Sequence, residues 1–262
     1  MVSKQCNTFS RVSITQKYFD GDVGLMKQDY RCVAPTLEGF IQQLAVAYVA
    51  RGYFFYVTGF VSVGKNPVLV DKKMLSKFEV AMSKWSRYRR TQKTGPDGKP
   101  LANTQYIRHE RFFVLLCTAG HHKFFEEHQK FERSKKGWII HRQYADVRKT
   151  PIVYAGYSVS HRNGHVTVRM SQKAYAELKR HLERLALTKG VEVLDREFAR
   201  APFEPYGGVT RQMFCIFRST NRLRKKAGLP LISHESVKTR RKSLRPFSIP
   251  DFKGANRRLE DV

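Results

Sequence analysis

The sequence predicts an α+β fold, in which helices pack on one face of a mixed or mainly antiparallel sheet and a basic C-terminal extension follows. Three observations favour this class. Segments with helical spacing alternate with short β-branched and aromatic segments, an Asn-Gly dipeptide separates two strand-like segments, and hydrophobic residues make up 41% of the 262 residues. Such a chain can bury a core, which excludes a disordered basic tail and a collagen-like fibre.

The order of these segments predicts three regions. Residues 1–35 show no clear period and are expected to form an irregular N-terminal arm. Residues 36–200 hold the α+β core domain, and residues 201–262 form a basic C-terminal segment, part helical and part extended. Because the extended part has little hydrophobic periodicity, we expect it to become ordered only when it binds a partner.

The first element is a helix predicted from Thr36, an N-cap residue, to about Arg51, with Gly52 as its stop. The apolar stretch 44–63 has about the length and composition of a membrane-spanning helix. Gly52 and the β-branched and aromatic residues after it favour a helix, a turn and a buried strand instead. The dipeptide Asn66-Pro67 then begins a second helix, since asparagine caps helices and proline fits their first turn.

The middle of the chain is predicted to be rich in strands. Residues 105–119 are expected to form one strand, bent near residues 108–110, with the segment HHKFFEEHQKF as its hairpin partner across Ala119-Gly120. Residues 138–144, WIIHRQY, are a further strand candidate. Asn163-Gly164 predicts a type I′ hairpin between two strands, because both residues tolerate a positive φ.

Two helices are predicted after that hairpin. Ser171 can cap the first, which Gly190 is expected to end. The second lies within residues 209–228 and carries Met213 and Phe217 on its apolar face.

The charge of the chain predicts a polyanionic partner. The sequence has 49 Lys and Arg against 22 Asp and Glu, a formal charge of +27. Such a charge repels itself unless an anion neutralises it, and phosphate contacts also release condensed counterions. A membrane surface is disfavoured, because no lipidation motif is present. Nucleic acid is therefore the predicted partner, and no membrane partner is expected.

The excess charge is concentrated in two stretches. Residues 84–100 hold six Lys and Arg against one Asp, and residues 211–262 hold fourteen against four Asp and Glu. Since few acids can pair with these cations, they are expected to contact phosphate. On the last predicted helix, Arg218, Arg222 and Lys225 share one face, turned away from the apolar side. The predicted nucleic-acid-binding residues are Lys84, Trp85, Arg87, Tyr88, Arg89, Arg90, Lys93, Arg218, Arg222, Arg224, Lys225, Lys226, Lys238, Arg240, Arg241, Lys242 and Arg245.

Aromatic residues among the cations favour RNA over DNA. Arginine grips phosphate, and an aromatic face accepts an unstacked base. The aromatic candidates are Trp85, Tyr88, Tyr106, Tyr154 and Tyr157. No helix-turn-helix, zinc finger or basic zipper favours duplex DNA. The sequence therefore predicts a protein that binds structured or single-stranded RNA by backbone clamping and aromatic stacking, as a ribonucleoprotein or mobile-element component.

The alternative is a metal-dependent endonuclease or nickase acting on DNA or RNA, so the sequence leaves open whether the protein is an enzyme. Its catalytic candidates are His121, His122, His165 and Tyr175. Nickases of the HUH family hold a divalent metal with two strand histidines, whereas this strand offers only His165. A divalent metal enters only with this alternative, and RNA binding needs no cofactor.

The cysteines indicate a reducing compartment. None of the four forms a C-x-x-C pair, so neither a zinc site nor a redox dithiol is predicted. Cys117 and Cys215 lie in apolar segments and are expected to be buried. The first twenty residues lack the continuous apolar stretch of a secretion signal. A cytoplasmic location is therefore predicted.

Overall fold

A computed structural model describes residues 30–80, 83–134, 137–241 and 244–247. The helices in this part of the chain are α1 (Leu37–Gln42), α2 (Pro67–Lys77), α3 (Lys84–Thr91), α4 (Lys123–Glu127), α5 (Gln172–Ala186), α6 (Val191–Ala199) and α7 (Gly207–Lys226). The strands are β1 (Phe55–Phe60), β2 (Thr104–His109), β3 (Phe112–Cys117), β4 (Gln129–Ser134), β5 (Gly137–Arg142), β6 (Ala145–Asp146), β7 (Ile152–Tyr154), β8 (Tyr157–Arg162) and β9 (His165–Met170).

The strands form two antiparallel sheets and a separate hairpin. The first sheet has the order β2-β3-β1-β6, the second has the order β7-β8-β9, and β4 pairs with β5 alone. The pairings between these strands are antiparallel, which confirms the predicted α+β class. One hydrophobic cluster joins the two sheets to α1, α5, α6 and α7; it includes Phe40, Leu116, Val159, Leu182, Leu194 and Ile216.

The predicted first helix and the strand after it are present, but the strand is not buried as predicted, since Tyr56 is its one buried residue and Phe60 is 70% exposed. The Thr36 hydroxyl accepts the amide N–H of Gly39 at 3.1 Å, and helical backbone continues past α1 through a π-helical turn and a 3-10 turn to Arg51. Gly52 then adopts a φ of 89°, a conformation that glycine reaches without steric cost, and β1 begins three residues later. None of the described helices has the length and apolar composition needed to cross a bilayer.

The predicted single strand over residues 105–119 is wrong, because the chain reverses within it. Glu110 adopts a φ of 51°, and β2 and β3 pair on either side of this turn. Strand β3 lies between β2 and β1, so neither of its edges can accept a further strand. The segment expected to pair with it begins instead with α4, capped by His122, and continues into β4, which pairs with β5.

The Asn163-Gly164 hairpin is confirmed, with φ values of 51° and 77° at the two turn residues and Arg162 opposite His165. Ser171 caps α5 as predicted, since its hydroxyl accepts the amide N–H of Ala174 at 3.3 Å. Gly190 does not end that helix. Helix α5 stops at Ala186, and Gly190 is the N-cap of α6, a helix that was not predicted.

A buried ion pair joins α2 to β2. The Arg108 guanidinium donates to both Asp71 carboxylate oxygens, with Nη2 2.7 Å from Oδ2 and Nε 2.8 Å from Oδ1. The Tyr106 hydroxyl donates to the same Oδ1 at 2.7 Å. Asp71 and Arg108 are buried at 4% and 6% exposure. This three-residue group holds α2 against the first sheet.

Candidate nucleic-acid interface

Helix α7 carries a row of exposed cations along one face. Arg211, Arg218, Arg222 and Lys225 follow one another at intervals of seven, four and three residues, and all four are exposed. No residue of α7 is acidic, and Met213 on its other side is buried. At a rise of about 1.5 Å per residue, this row is about 21 Å long. We call these four residues the α7 stripe.

The α7 stripe agrees with the predicted common face and extends it. Arg211 was not among the predicted contacts, although it stands seven residues before Arg218, a spacing that returns to the same side of a helix. Cys215 lies four residues after Arg211 and is exposed rather than buried as predicted. Cys215 is exposed because it lies on the basic face of α7, although its neighbours in the sequence are apolar.

Arg224 is the exception among the predicted α7 contacts, because its side chain points into the protein. It is 2% exposed, and its Nη1 donates to the carbonyl oxygens of Ala186 (2.8 Å) and Lys189 (2.9 Å). Its Nε donates to the carbonyl oxygen of Pro230 at 2.5 Å. Arg224 therefore holds the C-terminal end of α5, and the prediction that it contacts nucleic acid is wrong. Lys226 is exposed as predicted.

Helix α7 is also attached to a strand near its first turn. The Gln212 side chain accepts the N–H of Met170 at 2.7 Å and donates to the carbonyl oxygen of Met170 at 3.2 Å. Met170 is the last residue of β9, an edge strand of the second sheet. The side-chain amide thus supplies both hydrogen bonds that a neighbouring strand would make.

The described part of the C-terminal extension lies on the core. The Asn221 side chain exchanges two hydrogen bonds with the backbone of Ile232, at 2.9 and 3.0 Å. The carbonyl oxygen of Leu244 accepts a hydrogen bond from Gln42 at 2.7 Å. The prediction that this extension becomes ordered only on binding a partner is therefore wrong for these residues. Residues 248–262 lie outside the described part of the chain.

One cation of this extension lies close to the start of α7. The Arg241 guanidinium stands 4.7 Å from the ring centroid of Tyr206, the residue that precedes α7. The predicted contacts Lys238, Arg240, Arg241 and Arg245 are all exposed, and Lys242 lies outside the described residues.

Helix α3 is fixed by polar contacts on its inner side. Ser83 caps the helix, its Oγ accepting the amide N–H of Ser86 at 2.9 Å. The Asn103 side chain donates to the carbonyl oxygen of Arg87 at 3.2 Å, and Arg90 donates to the carboxylate of Glu79 at 2.9 Å. Two predicted phosphate contacts, Arg87 and Arg90, are therefore partly buried on this side, with Arg90 in an ion pair.

The outer side of α3 carries the aromatic residues. Trp85 and Tyr88 are 60% and 55% exposed, and their rings stack with centroids 5.6 Å apart and planes at 23°. The Arg89 guanidinium stands 5.9 Å from the centroid of the Trp85 ring. Lys84 and Lys93 are exposed on either side of the pair along the chain. We call Trp85, Tyr88 and Arg89 the α3 platform.

Three other aromatic candidates belong to the core. Tyr106 and Tyr157 are fully buried, and Tyr157 Oη accepts the N–H of Glu204 at 2.7 Å. Tyr154 is half-buried and stacks on Phe112 with ring centroids 4.0 Å apart. The expectation that Tyr106, Tyr154 and Tyr157 stack on bases is wrong, because their faces are covered by the protein.

The four candidates for catalysis do not assemble into a metal-binding group. His121 stands 3.5 Å from Asp97 and 3.8 Å from Glu126, both on exposed loops or helix ends. His165 is exposed at the start of β9, and Tyr175 packs partly buried against the core. Within the described ranges, no cluster of three or more His, Cys, Asp or Glu could hold a metal ion.

His122 has a structural position. It is buried, and its Nδ1 accepts the amide N–H of Phe124 at 2.9 Å, which caps α4. Burial, together with the nearby charge of Arg90, lowers the pKa of His122 to about 4. The imidazole is therefore neutral at pH 7 and serves as a hydrogen-bond acceptor.

The pKa of His122 predicts a loss of stability in acid. In the unfolded chain this histidine takes up a proton near its ordinary pKa of 6.5, whereas in the folded protein His122 stays neutral until about pH 4. The free energy of unfolding that is present above pH 6.5 therefore falls as the pH drops toward 4. The expected loss is about 3 kcal/mol. Asparagine can cap α4 without titrating. Between pH 7.5 and pH 4, the free energy of unfolding of His122→Asn, measured in urea, should therefore fall by about 3 kcal/mol less than that of the wild type. Equal pH slopes in the two proteins would contradict this.

Comparisons of the chain with protein-family models, with curated proteins and with solved structures found no match.

Proposed function

We propose that this protein binds nucleic acid, with a preference for RNA, by gripping the phosphate backbone and stacking on bases. The phosphate contacts come from the α7 stripe and from the exposed cations of the C-terminal extension. The base contacts come from α3. A role as a component of a ribonucleoprotein or mobile element agrees with this mode of binding, because backbone contacts carry little sequence information.

The α7 stripe is the observation that carries the proposal. Four cations lie along about 21 Å of one helix face, which matches about six phosphates of one strand at an axial spacing of about 3.4 Å. Helix α7 has no acidic residue that could neutralise them. Ordinary surface helices mix both signs, as α6 does with Glu192, Asp195, Arg196 and Glu197. A phosphate backbone is the ligand that best fits a uniform row of cations.

The preference for RNA is supported by the α3 platform. Sequence-specific and single-strand RNA recognition depends on unstacked bases that rest on aromatic side chains and guanidinium planes. Trp85, Tyr88 and Arg89 supply both kinds of surface. Competition between RNA and DNA strands of the same sequence measures this preference directly. No observation on the described residues favours the endonuclease or nickase alternative.

Reversal of charge on the stripe is expected to abolish most of the binding. In Arg218→Glu/Arg222→Glu/Lys225→Glu, three phosphate contacts are replaced by repulsion, so we expect the Kd for a labelled 20-nucleotide RNA to rise at least about 100-fold at 0.15 M salt. The slope of log K against log salt concentration should fall by about 2–3. Fluorescence anisotropy at several salt concentrations measures both quantities.

The matched control places the same charge change elsewhere. Lys65, Lys72 and Lys73 are exposed on and before α2, outside the basic stretches 84–100 and 211–262 of the sequence, and Lys65→Glu/Lys72→Glu/Lys73→Glu lowers the net charge equally. We expect this control to weaken binding by less than about tenfold, since only the general field of the protein changes. If the two triple variants weaken binding equally, the α7 stripe is not the contact surface.

A further inference from the structure

The α3 platform is unusual in the direction of its side chains. Helix α3 contains no buried residue, its tryptophan and tyrosine face the solvent, and two of its three arginines, Arg87 and Arg90, are partly buried on the protein side. An amphipathic surface helix has the opposite arrangement, with aromatic residues inward and charged residues outward. Packing of α3 therefore does not explain the position of Trp85 and Tyr88.

The platform is held in a fixed orientation. Ser83 caps the start of α3, Asn103 binds its backbone at Arg87, and Arg90 is paired with Glu79. The two rings are stacked on each other, so the pair can receive a base only on its outer faces, and it lies on a helix that three separate contacts position. Rigid aromatic surfaces of this kind bind flat ligands without first having to be assembled.

We propose that the α3 platform is a stacking site for an unpaired nucleobase, and that it makes the protein select single-stranded segments over duplex. The inference rests on the proposed function. In a duplex both faces of each base are already stacked, so only an unpaired or terminal base can lie on Trp85 or Tyr88. Exposed Lys84 and Lys93 contact the phosphates that flank the stacked nucleotide.

The α7 stripe cannot supply this selection, because both single strands and duplexes offer phosphates. The two surfaces are attached to different sheets: α3 is held at Asn103, which precedes β2 of the first sheet, and α7 is held at β9 of the second. Substitutions on the platform therefore leave the stripe and its support unchanged.

The test uses two labelled 20-nucleotide RNA strands with equal numbers of phosphates, one complete and unstructured and one with several central abasic sites. The third ligand is the matching duplex, which carries twice as many phosphates. The wild-type protein is expected to bind the complete strand about 5- to 100-fold more tightly than the abasic strand, the range that one stacked base contributes. In Trp85→Ala/Tyr88→Ala the ratio of the Kd for the abasic strand to the Kd for the complete strand should fall to about one, while the Kd for the duplex changes less than about threefold.

The control variant Trp85→Phe/Tyr88→Phe keeps both rings and should keep most of the ratio. Because the two residues are exposed, the alanine variant is expected to fold, and its melting temperature checks this. If the wild-type protein binds complete and abasic strands equally well, or if the ratio survives in the alanine variant, the stacking site is overturned while salt-dependent binding still supports the proposed function. If none of the three nucleic acids binds, the proposed function itself is wrong.

Discussion

Replacement of Arg224 by methionine is expected to lower the free energy of unfolding by about 3–5 kcal/mol. Methionine can fill the space of the arginine stem, but it leaves the carbonyl oxygens of Ala186, Lys189 and Pro230 without their donor. A buried acceptor that loses its partner costs about 1–3 kcal/mol. Urea unfolding followed by circular dichroism gives the change in stability.

Two variants test whether the geometry of Arg224 matters as well as its charge. Arg224→Lys retains one cation without the planar fork, so it should recover only part of the loss. Arg222→Met removes an exposed arginine from the same helix and should change stability by less than about 0.5 kcal/mol. A stability for Arg224→Met within 1 kcal/mol of the wild type would show that its carbonyl contacts contribute little.

Asp71→Asn is expected to destabilise the fold by a similar amount, about 3–5 kcal/mol. The asparagine keeps the shape of the side chain but removes the negative charge that faces the buried Arg108 guanidinium. The loss comes from an uncompensated charge in the interior rather than from one missing contact. Chemical denaturation at pH 7 measures it.

A double variant distinguishes this mechanism from simple loss of packing. In Asp71→Leu/Arg108→Met both charges are replaced by hydrophobic groups, so the double variant is expected to be more stable than Asp71→Leu alone. If the loss of stability in the double variant equals the sum of the losses in Asp71→Leu and in Arg108→Met, each measured alone, the two charges do not interact and the explanation fails.

The elements that the sequence predicted correctly are those with a local cause. Thr36, Asn66 and Ser171 each place a side-chain oxygen at the start of a helix, and Asn163-Gly164 tolerates positive φ at both turn positions. Such signals act within a few residues, so the chain displays them before any tertiary contact forms.

The predictions that were wrong or missing concern strand pairing and burial, which residues far apart in the sequence determine. Residues 121–131 alternate plausibly as a strand, but β1 and β2 already occupy both edges of β3. The Asp71–Arg108 pair joins positions 37 residues apart, and neither residue has a local pattern that marks it as buried. Pairing between strands and burial of charge are therefore not readable from spacing alone.

The residues of the candidate site show the same difference between features with a local cause and features that distant residues determine. Helical spacing was enough to place Arg218, Arg222 and Lys225 on one face, and the same spacing includes Arg211, which was not predicted. Spacing did not show that Arg224 points inward, because the carbonyl groups it binds come from α5 and from the chain after α7.

The two attachments of α7 have a consequence for the entropy of binding. Gln212 fixes the helix to β9 near its beginning, and Arg224 fixes it to the end of α5 near its last turn. The four cations between and beside these points therefore keep nearly constant separations before any ligand arrives. A partner that binds them orders only its own backbone and a few lysine and arginine side chains, so the protein contributes little conformational entropy loss to the association.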